Sequence, residues 1–297
     1  MNTERPTNRK FMWKSTLSSW LVVMTILALF IAGCTGPSVT LIYHGVTLIY
    51  HGDWLRTESD SDGIWQMTPD GRDVVQLTSA GWYGEYSPDN SKIAYSEPYD
   101  NGVWAVNADG TNPVQLTTFG SSPSWSPDGS RLVFHVGGVK GTDRYLWIMN
   151  ADGTDAHQLS TVNGSFADWS PLGDKIIFHG EVNNGIWSIG PDGSNAMLFY
   201  RQGGYPAWSP DGKQIAYVDL VDWCIWVMDA DGQNKRKLTD HGGLQPAWSP
   251  DGLQIAYEGS NLSKDKDKKK TVIWMINSDG SDDHMINEGG RHPDWSN

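Results

Sequence analysis

Residues 207–239 read "AWSPDGKQIAYVDLVDWCIWVMDADGQNKRKLT", and this stretch decides the fold. It holds four short runs rich in β-branched and aromatic residues, around Trp208, Ile215–Tyr217, Ile225–Met228 and Leu238. Turn residues separate them, which is the pattern of consecutive strands. In Ser-Pro-Asp-Gly, proline presets φ, aspartate bonds back to the backbone and glycine accepts φ > 0. Asp-Ala-Asp-Gly works in the same way, with Gly232 at the bulge of a tight hairpin.

The unit recurs. The third run reads "IWQMTPDG", "VWAVNADG", "LWIMNADG", "IWSIGPDG", "IWVMDADG" and "IWMINSDG", with tryptophans at 65, 104, 147, 187, 226 and 274. The first run recurs as "EYSPDN", "SWSPDG", "DWSPLG", "AWSPDG", "AWSPDG" and a terminal "DWSN". We label the four strands a (WSPDG), b (QIAY), c (IWVM) and d (KLT). Four-stranded units at a period near 40 residues predict a β-propeller, in which each unit buries its faces against its neighbours.

Six c and six d segments are present, but the first a segment, at Tyr86, follows the first c and d, and the sixth stands at Trp295. The expectation is an all-β, six-bladed propeller over residues 46–297 whose first blade is closed by the C-terminal strand. Blade one also needs a strand b. The heptapeptide VTLIYHG is written twice, at 39–45 and 46–52, and only the second copy keeps the b-to-c spacing within that of the other blades. The first copy is a spacer or an alternative register of the same strand.

These repeats resemble the six-bladed TolB-type propeller, a WD-like repeat family that also supplies the propellers of prolyl oligopeptidases. The resemblance covers residues 46–297 and implies the fold, with a role in the cell envelope suggested by analogy. True TolB carries an α/β domain before its propeller, where this chain has only a short segment. The peptidases add a hydrolase domain, and no G-x-S-x-G elbow occurs here.

Residues 1–33 read as an export signal: Arg5, Arg9, Lys10 and Lys14, then an apolar run over 17–32, shorter than the ~20 residues of a spanning helix. Ile31-Ala32-Gly33-Cys34 resembles the lipobox of bacterial lipoproteins, which implies acylation of Cys34 and a lipid anchor, with residues 34–45 as a tether. The protein is then exported and held in the bacterial cell envelope, at the outer membrane or the outer face of the plasma membrane. The chain carries a net charge of −13, and loss of residues 1–33 leaves 18 Lys and Arg against 34 Asp and Glu. Such a surface repels phosphate backbones, so nucleic acid is excluded as a partner. Cys224, in "WCIWVM", is the other cysteine of the chain and reads as a buried hydrophobe. The runs 53–62 (acidic) and 264–270 (lysine-rich) read as solvated b–c loops of opposite charge.

The a–b and c–d turns are short and alike, whereas the b–c and d–a loops vary among the repeats, and function belongs on the variable face. Trp54, Trp82 and Trp223 stand on or beside it, outside the repeat motifs. Strand a lines the channel of a propeller. The residues before its aromatic include Glu85, Asp168 and Asp294; two positions earlier come Tyr83, Ser122, Phe166, Tyr205, Gln245 and His292. The expected site is an aromatic mouth above an acidic throat, a concave place for a ligand. A divalent cation in the channel, on Glu85, Asp168 and Asp294, is the expected metal arrangement if one exists, and otherwise no cofactor is implied. His51, His135 and His179 follow the strand-b aromatic and are expected at solvated strand ends.

Two functions follow. The first is a monomeric, non-enzymatic scaffold, anchored by lipid and recognising a protein or peptide of the cell envelope. The second, permitted because some related propellers are metal-dependent lyases, is an extracytoplasmic enzyme acting on polysaccharides in the funnel. Acid/base chemistry needs positioned groups, and no such set assembles from the sequence.

Overall fold

The computed structural model describes residues 46–52, 63–97, 102–137, 143–181, 184–260 and 270–297. All lie in the compact unit Tyr43–Asn297. Cys34, the first heptapeptide copy, Trp54 and both charged runs (Lys270 apart) fall outside the described residues, so the anchoring and loop expectations do too. Every described element is a strand, and the strands form five sheets.

Four of the sheets have four strands, ordered a-b-c-d. The fifth has seven, because His157–Trp169 runs on without a break from the d position of the third unit into the a position of the fourth. Its residues His157 and Gln158 face Ile148 and Trp147, and its residues Asp168 and Trp169 face Ile177 and Ile176. All pairs are antiparallel, and in every unit the strand-b aromatic stands directly opposite the strand-c tryptophan. The pairs are Tyr50↔Trp65, Tyr95↔Trp104, Phe134↔Trp147, Phe178↔Trp187, Tyr217↔Trp226 and Tyr257↔Trp274. Such cross-strand aromatic pairs set register.

The second heptapeptide copy supplies strand Leu48–Gly52, as its spacing predicts. It pairs on one side with Ile64–Met67 and on the other with Gly290–Trp295, where Leu48 faces Trp295. Beyond the strand, the Ser296 N–H bonds to the Thr47 carbonyl at 2.8 Å, and the Thr47 N–H bonds to Ser296 Oγ at 2.7 Å.

The turns behave as their chemistry requires. Asp128 accepts the Ser126 hydroxyl at 2.6 Å and the Ser130 N–H at 3.0 Å, and Asp89, Asp211 and Asp251 repeat the arrangement. Where Leu172 replaces the aspartate, Ser170 Oγ instead reaches Asp174, two residues later, at 2.7 Å. Among the described residues, six buried clusters fill the seams between neighbouring units. One joins Ile49 and Ile64 to Tyr86, Ile93 and Tyr95, and another joins Leu48 and Met67 to Ile273 and Met275 of the last sheet. Ile49, Ile64 and Ile93 are wholly buried, each contributing about 1.5–3 kcal/mol relative to exposure. Cys224, 3 % exposed, packs as a small hydrophobe should.

Candidate functional site

Each strand a is bulged at the same place. Its register against strand b (against Leu48–Gly52 for the C-terminal strand) shifts between the first residues and the acidic or small residue before the aromatic. Within each shift one residue has positive φ: Tyr83 (54°), Ser122 (51°), Phe166 (51°), Tyr205 (50°), Gln245 (50°) and His292 (50°). None is glycine, and this backbone region costs an ordinary residue about 1–2 kcal/mol. A bulge bends its strand and re-aims a side chain. Six repeats of one strained geometry therefore turn six side chains to a common place.

That place is a cavity of about 280 Å³ lined by all six a strands. Tyr83, Phe166, Tyr205, Gln245 and His292 border it, and so do Glu85, Asp168 and Asp294. The rings meet one another. Tyr83 lies 4.2 Å from His292 and 5.6 Å from Phe166 between centroids, and Phe166 lies 4.7 Å from Tyr205. The two registers read from the sequence thus share one site, and its aromatic part is a contiguous cluster.

The carboxylates also tie units together. Asp294 accepts the Tyr86 N–H at 3.0 Å, Glu85 the Trp125 N–H at 2.8 Å and the Ser124 hydroxyl at 3.2 Å, and Asp168 the Trp208 N–H at 2.6 Å. Each bond runs from strand a of one unit to strand a of the next. The carboxylates are enclosed by protein but keep surface facing the cavity. Burial raises Asp168 and Asp294 to about 7, against the pull of those N–H groups; burial, then the neighbouring Asp294 and Asp168, push Glu85 well above the carboxylate range. Among the described residues no group of three or more His, Cys, Asp and Glu side chains is disposed to hold a metal ion.

Other expectations divide. Trp82 is half-buried at the start of its strand, and Trp223 is 52 % exposed in a b–c turn; neither lines the cavity. His135 does not stand at a solvated strand end. It is 7 % exposed, Phe166 lies 5.7 Å away, and burial drives its pKa down to about 3, so it is neutral. His179 likewise packs 5.4 Å from Tyr205, and burial lowers its pKa. The bulge is the reason, because it turns the strand-a rings over the ends of strand b. Sequence reasoning did not anticipate the pair behind the mouth, in which Arg144 Nη1 meets Glu181 Oε1 at 2.6 Å and Ser165 Oγ donates to that oxygen at 3.0 Å. Its partners come from three separate strands or turns, and no motif marks them.

No family model and no curated protein matches the chain. Solved structures do. TolB from Acinetobacter baumannii aligns with a TM-score of 0.70 at 18 % identity, over 84 % of this chain and 66 % of that one. A putative TolB from Agrobacterium tumefaciens aligns at 0.64 and 16 % identity, over 83 % and 91 %. A chain of a nidogen/laminin complex aligns at 0.66 and 10 % identity, over 85 % and 99 %. The fold is therefore a β-propeller of the kind seen in TolB and related proteins. Identities this low carry the fold and no activity.

Proposed function

We propose that the protein is a six-bladed propeller, closed by its C-terminal strand, that recognises a protein or peptide partner through the mouth of the central cavity. In this reading the seven-stranded sheet is two blades joined through one long strand. The chain is exported, anchored through Cys34 and displayed in the cell envelope as a monomer. The observation that carries the binding reading is the convergence of one repeat position, six times over, on one cavity whose wall varies in side chain while the scaffold does not. Rigid scaffolds with variable walls are where binding sits. That one structural neighbour is a chain of a protein complex is consistent with it.

The test is a photo-crosslinking residue at position 83 or 205 of the full-length protein in intact cells, followed by mass spectrometry. One envelope protein recovered from both positions, and not from a control on the outer strand at Val114, supports recognition at the mouth. Recovery equal at all three positions removes it.

A further inference from the structure

We propose that the cavity beneath the aromatic mouth takes an organic cation, a primary ammonium on an alkyl stem, supplied by a lysine side chain of the partner polypeptide. The inference rests on the binding reading above and names the chemistry of what enters.

The lining is acidic and holds buried polar atoms without partners. It includes the carboxylates of Glu85, Asp168 and Asp294, and none of the described residues that line it is lysine or arginine; Arg144, behind the mouth, is paired with Glu181. Ser122, 6 % exposed, lines the same cavity and its Oγ has no hydrogen-bond partner; Gln245 Oε1 is a second buried acceptor without one. A buried polar atom left unpaired costs about 1–3 kcal/mol, so a guest that donates recovers that energy. An ammonium group brings three donors, one positive charge and no acceptor. The entrance suits its stem, because Tyr83, Phe166 and Tyr205 form a contiguous apolar cluster, and aromatic rings also attract a cation that passes over a face at about 0.5–2 kcal/mol. The volume, about 280 Å³, lies just below the range of small-molecule pockets (about 300–1,000 Å³) and accommodates one long side chain.

Charge completes the case. The carboxylates already hold their backbone N–H partners, and burial raises Asp168 and Asp294 to about 7 and Glu85 well above the carboxylate range, so protons are there to be released near neutral pH. A cation favours their ionised form, so its entry expels protons. The other titratable side chains on the wall are Tyr83, Tyr86, Tyr205 and His292. Burial raises the three tyrosines, which stay neutral, and His292 Nε2 lies 3.7 Å from Glu258 Oε2.

The experiment titrates the full chain with the capped peptide Gly-Gly-Lys-Gly-Gly, with its norleucine counterpart and with butane-1,4-diamine, by calorimetry in two buffers of different ionisation enthalpy. The lysine peptide is expected to bind at least tenfold more tightly than the norleucine peptide, to release protons and to bind more tightly at pH 8 than at pH 5.5. Asp168→Asn with Asp294→Asn keeps an acceptor for each N–H and should remove the preference for lysine. If that variant does not fold, Ser122→Ala serves instead and should weaken the lysine peptide about threefold, the loss of one hydrogen bond. Equal binding of the two peptides, or lysine binding without proton release, overturns the inference. Diamine binding as tight as the peptide's overturns the partner lysine as the source. A crosslinked partner without lysine preference removes this inference and leaves peptide recognition standing; lysine preference without a crosslinked partner does the reverse.

Discussion

The carboxylate of Asp294 accepts the backbone N–H of Tyr86 at 3.0 Å, joining positions 208 apart in the chain. Glu85 does the same for Trp125, 40 positions on, and Asp168 for Trp208. These bonds hold one strand a to the next around the cavity, so the acidic side chains that line the candidate site are also seam fasteners. At the equivalent places in the other units stand Ser124, Ala207 and Ala247, which have no carboxylate to offer. The proposed binding at the cavity and the cohesion of the seams thus draw on the same three groups.

That coupling predicts a pH dependence of stability. Asp168 and Asp294 sit at about 7 in the folded chain, whereas an unfolded aspartate titrates at about 3.9. The folded state binds more protons, so its extra stability is full below about pH 4 and is lost as pH rises through 7. The melting temperature should fall between pH 5 and pH 8.5, and the Asp168→Asn, Asp294→Asn variant should show a shallower fall. Parallel curves for the two proteins would show that the carboxylates are not responsible.

The C-terminal strand should matter more than its length suggests. Trp295 is 4 % exposed, and its indole N–H bonds to the Ala247 carbonyl at 3.1 Å. Trp295→Ala is expected to cost about 3–5 kcal/mol by denaturant titration. Deleting residues 291–297 should also expose an edge of Leu48–Gly52 and promote aggregation. Deleting residues 39–45 should leave the melting temperature unchanged, because the second heptapeptide copy makes the strand pairings.

Gly102 provides a sharper test of the packing. Its φ is +96°, and an added Cβ would lie 2.0 Å from the Thr117 carbonyl oxygen. Relief is blocked on that side, because the backbone of Thr117 is itself bonded to the Val103 carbonyl at 3.1 Å. Gly102→Ala should therefore destabilise by about 2–4 kcal/mol, measured by chemical denaturation.

The anchoring proposal has a separate check. Cys34→Ser should leave the protein unprocessed or release it from the membrane fraction, since acyl chains on one residue are the proposed attachment. A processed Cys34→Ser protein still sedimenting with membranes would require another anchor.

The repeats of the sequence determined much of this protein. Turn residues such as those at 209–212 act through their own φ preferences and side-chain bonds, so the a-b-c-d order of each unit and the choice of Tyr50 over Tyr43 as the first strand-b aromatic were legible without coordinates, whereas the joining of two strands in His157–Trp169 was not. The meeting of Tyr83 and Glu85 on the wall of one cavity was legible too, because alternate positions of a strand recur at a fixed offset from a marked aromatic residue. What only the tertiary structure decided depends on contacts between units. The strand-a bulge is one such feature, since positive φ at Tyr83, Ser122 or Gln245 is no local preference of those residues and is imposed by the packing around the cavity. The burial of His135 is another, as is the meeting of Arg144 with Glu181. The double role of the carboxylates is the last: a donor 40 or 208 positions away is brought within 3 Å by the stacking of sheets, a distance that no local pattern encodes.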